Sequence, residues 1–277
     1  MKTILIPVDF SENAEKAIAA AKIIAAETGS KLLLMYVYQP YVTDIAITEP
    51  ISSLPIYQQL EDSYRKQLDK YVADAIAEGF NADSAWKSDG IHAAIISQAK
   101  ESKADLIVMG RTGKGGFLDK LIGSSATGVA LDAPCPVLIV PPQSSIQKFK
   151  KIIYATQLEY EENDLILQAI GFGKRLGARI TFLKVNSRTQ PDIQSDEQYI
   201  SEITAELDIP TSDIVIRNSN GILSGIEDYC DEVQADLLIV SSRHRSFLEE
   251  YLINPSLTKK LVVRTHLPLL VYHLRED

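Results

Sequence analysis

The chain has 277 residues, 45% hydrophobic and 23% charged, enough for two ordinary soluble domains, and no apolar run approaches the roughly 20 residues that cross a bilayer. Its net charge is −9, with 13 Lys+Arg against 17 Asp+Glu in residues 1–142 and 13 against 20 in residues 151–277, which excludes the basic footprint of a general nucleic-acid binder. The two cysteines, Cys135 and Cys230, stand far apart in no metal spacing and suit a reducing cytoplasm.

Residues 3–8, TILIPV, form an apolar strand with Asp9 at its carboxyl end. Pro7 and Asp9 would interrupt the apolar core of a secretory signal, so the start of the chain reads as a strand. Ser11 is the expected cap of a helix whose Ala14, Ala17, Ile18, Ala21, Ile24 and Ala25 recur at helical spacing. Gly29 is its expected stop. Lys31 to Val37 reads as a second buried strand, and the proline-bearing residues 39–57 as a long loop. A helix over 58–78, a strand over 84–88 and a helix over 91–101 follow.

Next comes DLIVMGRTGKGGFLDKLIGSS, residues 105–125. Leu106 to Met109 has the unbroken apolarity of a strand buried on both faces. Gly110, Gly113 and Gly123 punctuate the loop behind it, and Ser124 and Ser125 open a small-residue helix. Glycines let backbone N–H groups approach an anion, and a helix start adds unpaired N–H groups and a positive dipole end. The spacing is neither a Walker A loop nor G-x-G-x-x-G. Pro136 to Val140 is the last strand, and the βαβαβαβαβ order argues a five-stranded parallel sheet covered by helices.

Residues 141–150, PPQSSIQKFK, read as a linker, after which the pattern restarts. KIIYAT (151–156) matches TILIPV at an offset of 148 residues, and ADLLIVS matches ADLIVMG at an offset of 131. The 17-residue difference lies between Val185 and Gly221, so one domain is repeated, the first copy carrying an insertion after its second strand. The expected organisation is a domain over 1–142, a linker over 143–150 and a second domain over 151–277. In an open parallel sheet of flavodoxin-like order 3-2-1-4-5, ligands bind at the strands' carboxyl ends between the first and fourth strands, where Asp9 and Gly110 stand.

The G-x2-G-x9-G-S-S spacing, with ADLIVMG before it, APCPVLIVP after it and KTILIPVDFS at the start, resembles the ATP-binding signature of the universal stress protein family. The resemblance covers the chain twice. It implies two tandem α/β domains of the flavodoxin-like, adenine nucleotide alpha hydrolase-like kind. It implies that Asp9 and the Val37 backbone contact adenine, that Gly110 lies near ribose, and that Gly113, Gly123, Ser124 and Ser125 hold phosphates. Pro7, Val8, Met109 and Arg111 complete the implied pocket, and Arg111 and Lys114 can screen phosphate charge. The implied cofactor is ATP, with Mg²⁺ as its companion. The second copy has Gln157, Ser241, His244, Asn254 and Pro255 at the matching positions, and Glu249 and Glu250 in the loop, so it is expected to keep the fold without the nucleotide.

The implied role is nucleotide-dependent stress response or regulation, with an unknown protein partner. A slow ATPase or self-phosphorylating enzyme, and a nucleotide-free scaffold, are the competing classes. The fifth strands are sheet edges in this order and are expected to pair antiparallel, giving an intramolecular pseudo-dimer, with a homodimer as a further step. Tyr36, Tyr38 and Tyr41 cluster at the mouth of the insertion, where they either stack on adenine or pack the loop. His92, His244, His266 and His273 show no paired metal spacing.

Overall fold

The computed structural model describes residues 1–39, 55–111, 124–156, 162–188, 194–243 and 257–274. In the first half the elements are β1 (Thr3–Val8), α1 (Glu12–Thr28), β2 (Lys31–Val37), α2 (Pro55–Ala77), β3 (Ala82–Lys87), α3 (Ile91–Glu101), β4 (Leu106–Gly110), α4 (Ser124–Asp132) and β5 (Val137–Val140). The second half supplies β6 (Lys151–Ala155), α5 (Asn163–Arg175), β7 (Arg179–Ser187), α6 (Asp196–Leu207), β8 (Ile214–Ser219), α7 (Ile222–Val233), β9 (Leu237–Arg243), α8 (Leu257–Arg264) and β10 (Leu269–Leu274). Most of the insertion, Tyr41 included, lies outside the described residues. Its end is helical, because α2 begins at Pro55, where a fixed φ suits the first helical position.

The strands form one sheet in the order β3-β2-β1-β4-β5-β10-β9-β6-β7-β8. Every neighbouring pair is parallel except β5 and β10, which run antiparallel. Ile139 faces Leu269, Leu138 faces Leu270 and Val137 faces Val271. At the repeat offset, Leu138 matches Leu269 and Ile139 matches Leu270, so this register is unchanged when the halves trade places. Each apolar edge is covered by the other, which removes two templates for aggregation.

Strand alternation sends side chains to two faces. On one face Ile4, Ile6, Leu32, Leu34, Leu106 and Val108 meet α1 and α2, in a core that continues through Ile152, Tyr154, Leu237 and Ile239 to α5 and α6. On the other, Leu5, Leu33, Ile107, Val137 and Ile139 meet α3 and α4, and the layer runs on through Leu238, Leu269 and Val271 to α7 and α8.

Two aspartates fasten the start of each half. Asp105 Oδ2 accepts from the backbone N–H of Lys2 (2.6 Å) and Thr3 (3.0 Å). Asp236 Oδ2 accepts from those of Lys150 and Lys151, both at 2.8 Å. The linker is not loose at its end, where Phe149 is buried within the core. No helix among the described residues is long and apolar enough to cross a membrane.

Candidate functional site

The first-half crevice opens where β1 and β4 end and their chains part. Ile4 pairs with Leu106 and Leu5 with Ile107, a register that, carried on, sets Val8 level with Gly110. Pro7 and Val8 pair with Met35 and Tyr36 on β2, and Met109 and Gly110 with Ile139 and Val140 on β5. Asp9 then leaves the sheet, exposed. Its Oδ1 accepts from the Ser11 backbone N–H (3.1 Å) and hydroxyl (2.5 Å). The Ser11 hydroxyl oxygen in turn accepts from the Ala14 N–H at 3.2 Å, capping α1. The carboxylate thus stands at the crevice mouth, at the positive end of a 17-residue helix.

Val37 contributes backbone. The Tyr38 N–H donates to Lys87 O on β3 at 2.8 Å, so alternation turns the Val37 groups the other way, toward β1. The last β1–β2 pair is Val8 with Tyr36, which aims the Val37 carbonyl past the end of β1. A carboxylate and a backbone carbonyl at one mouth can accept from the exocyclic amine of an adenine or the hydroxyls of a ribose.

Gly110 has a structural reason of its own. A Cβ built on it would lie 2.5 Å from the Asn13 carbonyl oxygen and 2.8 Å from that carbonyl carbon. The alanine-rich face of α1 brings its first turn hard against the end of β4. Arg111 is half-buried, and burial lowers its guanidinium pKa. Its Nη1 donates to Val262 O of the second half at 3.0 Å. Val262 lies in the last turn of α8, among carbonyls without helical partners, so Arg111 caps that helix and is committed across the seam. Ser124 and Ser125 form the first turn of α4. Gly113, Gly123 and Lys114 lie outside the described residues, as do Gln157, His244, Glu249, Glu250, Asn254 and Pro255.

Tyr36 and Tyr38 pack against rings of their own chain. Phe10 stacks on Tyr36 (centroids 4.8 Å apart) and on Tyr64 of α2 (5.8 Å), while Trp86 of β3 meets Tyr36 at 5.2 Å and Tyr38 at 5.6 Å. Arg65 lies 4.0 Å above the Trp86 ring. Burial raises the Tyr36 hydroxyl pKa, with Tyr64, Tyr38 and Asp9 adding to the effect. Burial, then Glu15 and Asp9, pushes Tyr71 up to about 12.

In the second half a carboxylate is buried beneath the end of β6. Glu162, 4% exposed, accepts from the Tyr154 hydroxyl at 3.2 Å and the Thr156 hydroxyl at 2.9 Å. Thr156 is the counterpart of Val8, and Ser241 that of Gly110. At the offset of 148, Glu162 stands in place of the buried Ala14; a carboxylate at a core position was the sequence signal. Lys184, the counterpart of Tyr36, is fully buried and donates to Asp196 Oδ1 at 2.8 Å. Among the described residues no group of His, Cys, Asp and Glu has metal-site geometry. His92 lies 3.0 Å from Asp132, His266 2.7 Å from Asp231, and His273 2.8 Å from Ala130 O.

The universal stress protein family matches the chain twice, over residues 1–141 and 148–273. A universal stress protein of Thermus aquaticus is 38% identical over 141 residues, 50% of this chain and 98% of that protein. One of Methanocaldococcus jannaschii is 35% identical over 147 residues, 50% of this chain and 81% of that one. The crystal structure of a universal stress protein of Archaeoglobus fulgidus superposes with a TM-score of 0.73 at 20% identity, covering 97% of this chain and 95% of that one, a likeness of fold.

Proposed function

The chain belongs to the universal stress protein family, and on that premise we propose that its first half, residues 1–142, binds ATP in a stress-response or regulatory role while the second, residues 151–277, keeps the fold without the nucleotide. The observation that carries this is the contrast between the two crevices. One has Asp9 exposed at its mouth with the Val37 carbonyl aimed past β1; its counterpart has the buried carboxylate of Glu162 beneath the end of β6, which would disfavour phosphate nearby. Adenine would meet Asp9 and the Val37 backbone, with ribose near Gly110 and with Pro7, Val8 and Met109 as the floor. The phosphates would meet the N–H groups at the start of α4 with Ser124 and Ser125, and the Gly113 and Gly123 backbone. Mg²⁺ would arrive on the phosphates, as it commonly does, without a dedicated protein cage. The two halves act as an intramolecular pseudo-dimer in which the second serves as the first one's partner.

Native mass spectrometry of the purified chain, followed by calorimetric titration, tests this. One ATP per chain is expected. Gly113→His, copying the second half, should abolish binding. Asp9→Gln should weaken it about ten- to a hundredfold, the worth of roughly 1.5–3 kcal/mol for a hydrogen bond to a charged group. His244→Gly should change nothing. Two equivalent sites, or full binding by Gly113→His, would overturn the assignment. Labelled ATP separates the remaining classes: retained ATP supports a binding protein, released ADP or labelled chain an enzyme, and neither a scaffold.

A further inference from the structure

The ring stack beside the crevice contains a residue given no part in the proposed pocket. Phe10 follows Asp9 directly and precedes the cap Ser11. Its φ is 60°, the left-handed region that side chains other than glycine, asparagine and aspartate rarely adopt. Its ring packs in a triangle with Tyr36 at 4.8 Å and Tyr64 at 5.8 Å, themselves 5.1 Å apart, with Tyr71 at 5.6 Å. This turn takes the chain off β1 and aims the Asp9 carboxylate. A ring locked by β2 and α2 therefore fixes a backbone conformation that the residue type disfavours, one position from the carboxylate. In the second half the stack has no equivalent, since Lys184 replaces Tyr36 and Arg217 replaces Trp86 at the repeat offsets.

We propose that Phe10 is a positioning residue for the nucleotide, and that its ring stack makes α2 and β3 respond to occupancy at Asp9. This rests on the ATP-binding reading. A ligand drawing on Asp9 shifts the turn at Phe10; the ring moves with it, and Tyr36, Tyr64 and Trp86 repack, because stacked rings change places in steps and transmit displacement.

The chain carries its own reporter, for Trp86 is its single tryptophan. The full chain is titrated with ATP while Trp86 emission is followed, and the affinity is measured independently by calorimetry. Emission should change and saturate with the calorimetric Kd. Phe10→Gly removes the ring but admits the left-handed backbone without steric cost. It should weaken ATP at least tenfold and silence the Trp86 response, with the far-ultraviolet circular dichroism unchanged, and Phe10→Tyr should restore both. Tyr64→Leu, on α2 and outside the residues assigned to the pocket, should reduce the emission response and serves if Phe10→Gly fails to fold. A parent chain that binds no ATP by calorimetry defeats the binding reading itself. ATP binding with a silent Trp86, or Phe10→Gly binding as tightly as the parent, overturns the role of Phe10 alone.

Discussion

Replacing Gly110 with alanine should destabilise the first half even without ligand. The added Cβ would sit 2.5 Å from the Asn13 carbonyl oxygen and 3.1 Å from the Asn13 Cβ. Ordinary contacts between carbon atoms lie at about 3.5–4.0 Å, so the first turn of α1 must retreat by roughly 1 Å. The obstacle is backbone, which no rotamer change relieves, and overpacking of this kind costs about 1–3 kcal/mol. In a cooperative unit of 150–250 residues each kcal/mol is worth about 2–4 °C, so Tm should fall by roughly 2–12 °C. Nucleotide affinity should fall as well, since the displaced turn carries Asp9 and Ser11. Gly128→Ala is the control. There the added Cβ would meet the ring of His92 at 3.0 Å, a half-exposed side chain that can yield at the expense of its exposed contact with Asp132, and a helical glycine replaced by alanine gains up to about 1 kcal/mol. Thermal and urea unfolding of ligand-free protein measure both. Gly110→Ala as stable as the parent would refute the steric account and return that glycine to a purely ligand-facing role.

The Lys184–Asp196 pair supplies another test. Lys184 is 0% exposed and Asp196 42%, so Asp196→Ala leaves a buried ammonium with the Gln194 carbonyl at 2.8 Å but no counter-charge, at a cost of about 2–4 kcal/mol, below the full buried-pair range because water reaches the aspartate side; Lys184→Met should be near neutral in urea unfolding at pH 7. The Lys184 hydrogen bond, then that of Asn186, holds the Asp196 carboxyl below its ordinary 3.8. A depressed carboxylate stabilises the fold above that value and loses the contribution as pH falls through the lower folded value, so Lys184→Met should flatten the stability profile below about pH 4. Burial, with Asp231 and Glu227, pushes the Cys230 thiol up to about 12. Neither it nor the buried Cys135 should react with a thiol reagent in native protein at pH 8, whereas both should in denaturant; rapid native labelling would contradict the burial.

The frame was legible because strands buried on both faces read as unbroken apolar runs. LIVM, VLIV and their repeats at fixed offsets gave the strands and their duplication, and Ser11 and Gly29 marked both ends of α1 as expected. What stayed hidden was whatever depends on partners distant in sequence. Spacing showed that a glycine was needed at 110 but not that Asn13 is the neighbour that needs it. Arg111 reads as a phosphate-loop cation until the fold brings Val262 beside it. Tyr36 and Tyr38 gave no hint that Phe10, Tyr64 and Trp86 complete their stack. Glu162 was detectable, as a carboxylate aligned with Ala14, but only by carrying the repeat into the first turn of the helix.

The difference between the two halves bears, on the proposed reading, on the shape of a binding curve. Two symmetric folds with two open crevices would allow one site to sense the other, and occupancy could rise steeply with ligand concentration. On the proposed reading, in which only the first half binds nucleotide, the chain has no second equivalent site to recruit. Its expected response within a single chain is then a simple hyperbola spread over nearly two decades of concentration, graded where a symmetric pair could be switch-like.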